Sequence, residues 1–372
     1  MRVIISGGGT GGHIYPAITI AKALGNIEHT DILFIGTKQG LEADIIPKEG
    51  YDFATIDVRG FERRLSLANM VTIAKAASSV WHAKDMINKF KPDIVIGTGG
   101  YVCGPVLFAA CWAGIPTLIQ EQNVIPGITN KLLSYFVDKI AVGYRESAPH
   151  FYKPEKIVFT GNPIRSEVIT AHRENGVREL GLKPGKLTLL VSGGSRGARS
   201  INTAMVEVHK YFSNRSDIQI LHITGQSEYN NLVSNLVDSG IDITGAGNSI
   251  IKPYLYDMPN ALAAADLAVF RAGAIGLAEL TARGIPAILI PYPYAAANHQ
   301  EFNARILEKN GAAIVIRDSE LTGQLLIERI EQLLKDRRSL ENMSEASRKM
   351  GHPYAADEIA KQAYQLKAKY QK

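Results

Sequence analysis

The chain carries one strand-turn-helix signature twice, as VIISGGGTGGH at residues 3–13 and as LLVSGGSRGAR at residues 189–199. In both places a run of apolar and β-branched residues, typical of a buried strand, opens into a glycine turn. Such a turn leaves backbone N–H groups bare at the start of the following helix, where a phosphate group can bind. The repetition predicts two units built on the same α/β plan.

Strand-like runs alternate with segments of helical period along most of the chain, which is typical of parallel sheets with crossover helices. The predicted strands lie at residues 3–6, 32–36, 54–58, 94–97, 116–119, 140–143 and 157–161, and then at 187–192, 218–224, near 250, 267–270, 287–291 and 313–316. The first seven fill one doubly wound sheet, and the series restarts after GNPIR. We predict an N-terminal Rossmann-like domain at residues 1–165, a C-terminal one at 166–352, and a helix at 353–372 that packs back on the N-terminal domain.

Composition places the chain among folded soluble proteins. Its 372 residues are 46% hydrophobic and 21% charged, and the net charge of +5 gives no reason to expect a nucleic-acid partner. Cys103 and Cys111 fit neither a disulfide framework nor a zinc site, which favours a reducing cytoplasm. The glycines at residues 7–9 interrupt any signal peptide, and the most apolar stretch, residues 106–119, is too short to span a bilayer.

Two more glycine loops follow strand-like runs, GTGGYVCGP at residues 97–105 and RAGAIGLAE at residues 271–279. Ligands of doubly wound proteins bind beyond the carboxyl ends of the strands, so four such loops together indicate phosphate-bearing ligands. Any one of these loops taken alone is also explained as a tight turn without a ligand.

A dinucleotide-dependent dehydrogenase is a competing interpretation, because Gly7, Gly9 and Gly12 satisfy the pattern G-x-G-x-x-G. That class requires an acidic residue at the end of the second strand, whereas this strand ends in Gly36 and Thr37. The sequence also has no Walker loop and no Asp-x-Asp. A nicotinamide site, an ATP site and a metal-dependent nucleotide-sugar site are therefore not expected.

Two residues in the loops have chemistry suited to a nucleotide ligand. Glu279, just inside a helix that begins at residues 273–276, is placed to accept two hydrogen bonds from a ribose diol while the helix end holds a diphosphate. The alternative is a glutamate that only stabilises the helix N-terminus. His13 follows the first glycine turn and is a candidate general base, the alternative being a structural histidine.

Together, the motifs closely resemble the MurG family of UDP-N-acetylglucosamine transferases over essentially the whole chain. They are GGGTGGHIYP (residues 7–16), GGYVCGP (99–105), EQNVIPG (121–127), GNPIR (161–165), GGSRGAR (193–199), RAGAIGLAE (271–279) and PYPYAAANHQEFNA (291–304). The resemblance implies an α/β protein of the GT-B glycosyltransferase fold, two Rossmann-like doubly wound domains with a cleft between them. The C-terminal domain then holds UDP-GlcNAc, and the N-terminal domain holds the lipid acceptor.

The implied reaction moves N-acetylglucosamine from UDP-GlcNAc to the 4-hydroxyl of undecaprenyl-diphospho-N-acetylmuramoyl-pentapeptide. It converts lipid I to lipid II in peptidoglycan synthesis, inverts the anomeric centre, and uses neither a metal nor a cofactor. By the same resemblance His13 is the candidate base, with Glu121 as the second candidate, and Glu279 holds the ribose. The other implied substrate-binding residues are Thr10, Gly11, Gly12, Asn123, Arg165 and Ser195 along the cleft, Leu255 at the uracil, Ala274, Ile275, Gly276, Leu277 and Ala278 at the diphosphate, and Gln300 at the sugar hydroxyls.

Three positions depart from the family's usual motifs, which read GGSQGA, GGYVSGP and a Thr in the loop before the ribose glutamate. Here these positions are Arg196, Cys103 and Gly276. Arg196 adds a cation that either pairs with a diphosphate or points to solvent. Gly276 removes a hydroxyl donor and keeps its backbone N–H. The departures affect the expected strength of donor binding and leave the expected function unchanged.

A lipid acceptor requires a membrane-facing surface, and local charge predicts where it lies. Residues 59–91 contain seven basic and two acidic residues, an excess equal to that of the whole chain. The basic residues, Arg63, Arg64 and Lys75 among them, are interleaved with apolar ones such as Trp81, which suits a peripheral surface on anionic lipid. The same apolar residues also fit a crossover helix packed on its sheet. Trp112 is another expected membrane contact.

The expected location is the cytoplasmic face of the bacterial cell membrane. The expected cellular processes are the maintenance of cell shape and cell division. The expected partners are UDP-GlcNAc, lipid I, anionic lipid, and cell-wall synthesis and division proteins. Two other classes of function stay open, an epimerase of nucleotide sugars and a non-catalytic nucleotide-sugar-binding protein. An epimerase needs no basic apolar surface, and a binding protein needs neither EQNVIPG nor a histidine in the first loop.

Overall fold

The structure, a computed structural model, describes residues 1–58, 67–241, 243 and 247–370, and over residues 67–77 it describes the backbone alone. The chain forms two compact units, Met1–Ile164 with Tyr354–Lys372, and Arg165–Pro353. Each unit contains one parallel sheet whose strands alternate with helices along the chain.

The N-terminal unit has a seven-stranded sheet. Its strands are β1 (Arg2–Gly7), β2 (Asp31–Gly36), β3 (Asp52–Thr55), β4 (Ile94–Gly99), β5 (Thr117–Glu121), β6 (Lys139–Val142) and β7 (Ile157–Phe159), in the order β3-β2-β1-β4-β5-β6-β7. Its helices are α1 (Gly11–Ile27), α2 (Glu42–Lys48), α3 (Leu67–Phe90), α4 (Cys103–Trp112), α5 (Ile128–Leu133) and, from the end of the chain, α15 (Ala355–Tyr370), with short 3-10 helices at Arg145–His150 and Pro154–Lys156. The strand order reverses between β1 and β4, so the loops after these two strands meet where doubly wound folds bind ligands.

Helix α15 completes the core of this unit. Its residues Ile359, Ala360 and Ala363 are fully buried in the same apolar cluster as Ala17 and Ile20 of α1. The small side chains on both helices allow a close approach of the two helix backbones. The start of α1, which carries the first glycine loop, therefore depends on a helix from the other end of the chain.

The predicted strands are present. Most of them differ from the prediction by one or two residues at an end, and the clearest shift is that of β3. Strand β3 lies at Asp52–Thr55 instead of residues 54–58, because its partner β2 ends at Gly36 and the pairing ends with it. Ile56 and Val58 are buried, which is why the apolar pattern continued beyond the strand. Strand β7 is also shorter than predicted, since β6 beside it ends at Val142.

The C-terminal unit repeats the plan with six strands. They are β8 (Leu187–Ser192), β9 (Ile218–Ile223), β10 (Ser249–Lys252), β11 (Leu267–Phe270), β12 (Ala287–Leu289) and β13 (Ala313–Val315), in the order β10-β9-β8-β11-β12-β13. The helices are α6 (Ser166–Thr170), α7 (Arg173–Glu179), α8 (Arg199–Phe212), α9 (Tyr229–Asp238), α10 (Met258–Ala264), α11 (Ala274–Arg283), α12 (His299–Lys309), α13 (Gly323–Lys335) and α14 (Arg337–Lys349), with 3-10 helices at Ala296–Asn298 and Asp318–Glu320. Its order reverses between β8 and β11, the strands that carry the other two glycine loops. In the described parts of the chain, no helix is long and apolar enough to cross a membrane.

A directed chain of hydrogen bonds lies buried between α8 and the C-terminal sheet. Ser249 Oγ lies 2.8 Å from His209 Nδ1, His209 Nε2 lies 3.2 Å from His222 Nδ1, and His222 Nε2 lies 3.1 Å from Asn202 Oδ1. The Asn202 oxygen only accepts, so each histidine donates through Nε2 and both rings are neutral. Burial lowers the pKa of His209 to about 3 and that of His222 well below its usual value. An additional proton on either histidine would break this series of hydrogen bonds.

We expect this pair to make the fold sensitive to acid. Below the ordinary histidine pKa of about 6.5, the unfolded chain binds protons at both histidines and the folded chain does not, so stability falls as pH falls. Between pH 7.5 and 5.5 the pair should lower the free energy of unfolding by about 3 kcal/mol. Urea unfolding followed by circular dichroism at the two pH values measures this loss.

The matched variants are His209→Gln with His222→Gln, which removes the titrating pair, and His29→Gln, which removes a histidine whose side chain is 93% exposed. The double variant should show a smaller loss between the two pH values, and His29→Gln should behave like the parent protein. An equal loss in the double variant and the parent would show that other groups cause the acid sensitivity.

Candidate functional site

The two glycine loops of the N-terminal unit touch each other where the strand order reverses. The N–H of Gly8, after β1, donates to the carbonyl oxygen of Gly99, at the end of β4, at 3.3 Å. A Cβ atom at Gly100 would lie 2.5 Å from the Gly8 carbonyl oxygen, and Gly9 and Gly100 have positive φ angles of 85° and 87°. Only glycine permits this approach. Two of the four predicted loops therefore form one site.

His13, the third residue of α1, lies half-buried beside this contact. Its Nδ1 is 2.9 Å from the carbonyl oxygen of Gly8. A carbonyl only accepts, so Nδ1 carries the proton and Nε2 keeps its lone pair. A Cβ atom at Gly99 would lie 2.8 Å from the ring, so glycine there leaves room for the imidazole. The ring is held in the tautomer that a general base requires.

Thr10, Gly11 and Gly12 form the start of α1. Thr10 is the N-cap residue, with an extended backbone, and no side chain in the described structure caps this helix. Thr10 and Gly12 are exposed, and Gly11 is half-buried. The first N–H groups of a helix have no partner within the helix and attract anions. This end of α1 is therefore suited to a phosphate or diphosphate group.

Glu121, the second candidate base, is the last residue of β5 and is buried. Its carboxylate accepts hydrogen bonds from the backbone N–H groups of Asn123 at 3.0 Å and Gly127 at 3.1 Å. It also accepts from the side-chain amides of Asn123 at 3.2 Å and Asn130 at 2.9 Å. Both carboxylate oxygens are thus used by the EQNVIPG loop itself. This arrangement favours a structural role for Glu121 and places Asn123 in the same loop.

Cys103, one of the three departures, is the first residue of α4 and is fully buried. Its thiol donates to the carbonyl oxygen of Ser6 at 2.8 Å, and its sulfur accepts from the N–H of Gly99 at 3.2 Å. Burial raises the pKa of the thiol to about 11, so the group stays neutral. The thiol holds the second glycine loop against β1 by hydrogen bonds that a serine hydroxyl is also able to make.

In the C-terminal unit, the loop after β8 bends tightly through Gly193, Gly194 and Gly197. A Cβ atom at Gly197 would lie 2.0 Å from the carbonyl oxygen of Thr224, and Gly194 and Gly197 have φ angles of 87° and 75°. Ser195 and Arg196 are exposed at the tip of this loop. The loop leads into α8, whose start carries no side-chain cap from the described residues.

The loop after β11 leads directly into α11, which begins at Ala274 with Gly273 as its N-cap residue. The first helical hydrogen bond within this turn runs from the N–H of Leu277 to the carbonyl of Gly273 at 3.0 Å, and Ile275, Gly276 and Ala278 are half-buried. Among the described residues, a Cβ atom at Gly276 would meet only Phe270, at 3.9 Å. The missing side chain therefore leaves open space over the end of a helix suited to a diphosphate.

Glu279 is the sixth residue of α11, beyond the first turn, so stabilisation of the helix end does not explain it. Only 7% of the residue is exposed. Arg165 donates to its Oε1 from Nη2 at 3.0 Å and from Nε at 3.3 Å. Burial raises the pKa of the carboxyl, and Arg165 opposes that shift. Oε2 accepts no hydrogen bond from the residues that the structure describes, so one oxygen remains for a ligand.

The remaining predicted residues, Leu255 and Gln300, follow strands β10 and β12 of the same sheet. Gln300, in the first turn of α12, accepts a hydrogen bond from the N–H of Tyr292 at 2.9 Å. Its amide NH₂ donates to none of the described residues and is therefore available to a ligand. Gln300 follows Ala297 and Asn298, which have left-handed φ angles of 51° and 53°, a strained conformation of the kind found at binding sites. Leu255 lies after β10, three strands away from β11.

Two residues outside the predicted site hold these loops in place. Glu42 lies buried below the first loop and accepts from the N–H of Gly9 at 3.0 Å. Arg271 follows β11 and ties loops together through Asp318 at 2.5 Å and Ser200 at 2.9 Å. The sequence contained a signal for each, an acidic residue shortly after the second strand and a single cation at the end of a buried strand.

Comparisons with known proteins match the two parts of the chain to two domains of one glycosyltransferase family. Residues 3–142 match the Glycosyltransferase family 28 N-terminal domain, and residues 188–359 match the Glycosyltransferase family 28 C-terminal domain. A protein of Desulforamulus reducens is 52% identical over 97% of both chains. It is named UDP-N-acetylglucosamine--N-acetylmuramyl-(pentapeptide) pyrophosphoryl-undecaprenol N-acetylglucosamine transferase. A protein of Bacillus licheniformis with the same name is 46% identical over 99% of both chains.

Two solved structures are informative. The crystal structure of Acinetobacter baumannii MurG is 27% identical, covers 98% of this chain and 99% of its own, and has a TM-score of 0.77. UDP-GlcNAc 2-epimerase of Neisseria meningitidis, bound to UDP-GlcNAc, is 14% identical, covers 98% of this chain and all of its own, and has a TM-score of 0.70. The second likeness concerns the fold alone. The predicted fold class, α/β with two Rossmann-like units, is confirmed.

Proposed function

This chain belongs to the MurG family of glycosyltransferases, and on that premise we propose how its two units divide the reaction between donor and acceptor. The chain transfers N-acetylglucosamine from UDP-GlcNAc to lipid I and forms lipid II in peptidoglycan synthesis. The observation that carries this function is the 52% identity to a transferase of that name over 97% of the chain. The four glycine loops, paired where each sheet reverses its strand order, are the structural features that suit two diphosphate ligands.

We assign the donor to the C-terminal unit. The open end of α11, from Ala274 to Ala278, binds the diphosphate through backbone N–H groups, and Glu279 accepts the ribose hydroxyls through the oxygen that Arg165 leaves free. Gln300 donates its amide to the sugar hydroxyls. Leu255 contacts the uracil through its backbone. Ser195 lies in the exposed tip of the second unit's first loop, within reach of a ligand there.

The acceptor belongs to the N-terminal unit in this proposal, with its diphosphate at the start of α1 near Thr10, Gly11 and Gly12. Nε2 of His13 takes the proton of the attacking 4-hydroxyl as the new bond to the anomeric carbon forms. The bond from that carbon to the donor phosphate breaks, and UDP leaves with its electron pair on the opposite face of the sugar. The N-terminus of α11 stabilises the developing charge, and the mechanism uses no metal and no cofactor.

A UDP-release assay tests this function directly. UDP-GlcNAc is supplied with and without a lipid I analogue, and UDP and the sugar products are measured. A transferase releases UDP only when the acceptor is present. Conversion of the donor sugar without acceptor would indicate an epimerase, and donor binding without turnover would indicate a binding protein.

We also propose that the enzyme works peripherally on the cytoplasmic face of the bacterial membrane, where its lipid substrate lies. The Trp81 and Trp112 rings meet edge to face at 5.7 Å and are 61% and 55% exposed. The Lys84 ammonium lies 4.0 Å from the centre of the Trp112 ring. Exposed tryptophans beside cations suit the headgroup region of anionic lipid. Arg63 and Arg64 lie outside the described residues.

Replacing Trp81 and Trp112 with alanine should therefore reduce sedimentation with anionic vesicles severalfold, because two aromatic anchors are lost. Added salt should weaken binding of the parent protein, since exposed charges are screened within about 10 Å at 0.1 M. Charge reversal of Arg63, Arg64 and Lys75 to Glu should release it in the same assay. The matched control is Tyr211→Ala, which removes an exposed aromatic ring from the C-terminal unit. Full binding by the double tryptophan variant would show that the membrane surface lies elsewhere.

Lipid II is consumed by enzymes that build the cell wall during growth and division. We accordingly propose cell-wall synthesis and division proteins as further partners of this enzyme at the membrane. Copurification with such proteins from membranes in mild detergent tests this assignment, with the Trp81 and Trp112 double variant as the comparison.

A further inference from the structure

Glu42, the first residue of α2, has a fully buried carboxylate directly below the first glycine loop. Oε2 accepts from the N–H of Gly9 at 3.0 Å, and Oε1 accepts from the N–H of Thr37 at 3.0 Å and from its hydroxyl at 2.7 Å. Cβ atoms at Gly8 and Gly40 would lie 2.4 Å and 2.2 Å from this carboxylate. The local chain is therefore built around the carboxylate.

The charge of Glu42 is stabilised by hydrogen bonds. Burial would raise the pKa of this carboxyl, but the hydrogen bonds from Gly9 and Thr37 outweigh burial and hold the pKa below its usual value. In the described parts of the chain it forms no ion pair. In dinucleotide-binding proteins an acid after the second strand binds a ribose, whereas this one binds the protein's own glycine turn. The carboxylate is thus occupied and is not available to a ligand.

The same turn determines the tautomer of His13. Gly9 is fixed from below by Glu42, and the carbonyl of Gly8 accepts the Nδ1 proton of His13 at 2.9 Å. The N–H of Gly8 is bonded in turn to the carbonyl of Gly99. The hydroxyl of Thr10 lies farther from Nδ1, at 3.5 Å. A shift of the turn would therefore move the nearer acceptor of the Nδ1 proton, the carbonyl that sets the tautomer of the imidazole. The path from Glu42 to Nε2 of His13 consists of one turn and two hydrogen bonds.

We propose that Glu42 is a positioning residue for the catalytic base, because it fixes the Gly8 and Gly9 turn that keeps His13 in its Nδ1-protonated tautomer. This inference rests on the proposed role of His13. It does not require Glu42 to touch either substrate. In dinucleotide-binding proteins the acid after the second strand binds a ribose, whereas here Glu42 positions the imidazole of His13.

The variant Glu42→Gln tests this proposal in the full chain. The new amide has a single oxygen, whereas the carboxylate uses one oxygen for Thr37 and the other for Gly9. We expect that oxygen to stay with the two donors of Thr37, so the NH₂ group faces the N–H of Gly9 and the turn must shift. We expect turnover with a lipid I analogue to fall about 10- to 100-fold, as for a misplaced catalytic group, with UDP affinity unchanged. Long-range ¹H–¹⁵N spectra of ¹⁵N-histidine-labelled protein should show His13 change from the Nδ1-protonated form to a mixture of tautomers. The His13 signals are assigned by their absence in His13→Ala.

Asp138→Asn is the matched control, because Asp138 accepts from the N–H and hydroxyl of Thr117 at 2.8 Å and 2.9 Å in the same unit. It should leave both readouts unchanged. Thr37→Val keeps the Glu42 charge and removes one donor, so it should shift both readouts in the same direction by a smaller amount. If Glu42→Gln does not fold, Thr37→Val tests the proposal in its place.

The two readouts separate the two claims. An unchanged His13 tautomer in Glu42→Gln would overturn the positioning role, whatever the turnover. A changed tautomer with full turnover would support the positioning of His13 by Glu42 and would instead contradict the role of His13 as base. Equal changes in Asp138→Asn would show that the effect is not specific to Glu42.

Discussion

Replacing His13 with alanine is expected to lower turnover at least about a hundredfold, because a well-placed general base contributes about 10² to 10⁴ in rate. UDP affinity should stay within about twofold of the parent value, since we place the nucleotide on the C-terminal unit. Steady-state rates with a lipid I analogue and calorimetry with UDP measure the two quantities. The expected difference between the two quantities follows from geometry, because Nδ1 donates to the Gly8 carbonyl, whereas Nε2 has no hydrogen-bond partner among the described residues.

The matched control is His29→Ala, just beyond the other end of α1, where the side chain is 93% exposed. It should leave turnover and UDP affinity unchanged. If His13→Ala retains more than about a tenth of the parent turnover, His13 is not the base. Glu121→Gln would then be the next variant, although the four hydrogen bonds to that carboxylate favour loss of loop structure over loss of a base.

Glu279→Ala should weaken UDP binding by about 2 to 4 kcal/mol, the range expected for a buried, charge-assisted contact to two hydroxyls. The loss has two parts. The ribose loses its acceptor, and Arg165 loses the carboxylate that it contacts at 3.0 Å. Calorimetry with UDP measures the change, and circular dichroism checks that the unit is folded.

Glu331→Ala is the matched control for this variant. Glu331 is 7% exposed, as Glu279 is, and it pairs with Arg215 at 2.8 Å in the same unit. Removal of this carboxylate should lower stability to a similar extent and leave UDP affinity unchanged. UDP affinity that is equal in Glu279→Ala and the parent protein would remove Glu279 from the donor site.

Much of the fold could be predicted from the sequence, because a buried parallel strand is visible there as a short continuous run of apolar residues. The glycine turns after β1, β4, β8 and β11 marked where these runs end. The third strand was placed too late because Ile56 and Val58 are buried beyond the end of the ladder. A run of apolar residues indicates which residues are buried. It does not indicate where strand pairing ends, which here is set by the end of the partner strand at Gly36.

The candidate site was harder to predict from the sequence than the fold, for a physical reason. Residues with chemistry of their own inside a motif, such as His13 and Glu279, stand out in the sequence. Residues that act by holding a loop do not, because their partners are distant or are backbone groups. Glu42 meets Gly9 only after the first and second strands pair, and the pairing of Arg165 with Glu279 joins two distant segments of the chain. Such contacts are properties of tertiary structure.

The contribution of α15 to the N-terminal core has a consequence for synthesis on the ribosome. Domains generally fold as they emerge, the N-terminal one first. Here Ile359 and Ala363, which fill the groove beside α1, are translated after the whole of Arg165–Pro353. The C-terminal unit is continuous in sequence and has all its residues available earlier. The nascent chain therefore carries an incomplete N-terminal core with exposed apolar surface until Ile359 and Ala363 have been translated, which makes this unit the expected client of ribosome-associated chaperones.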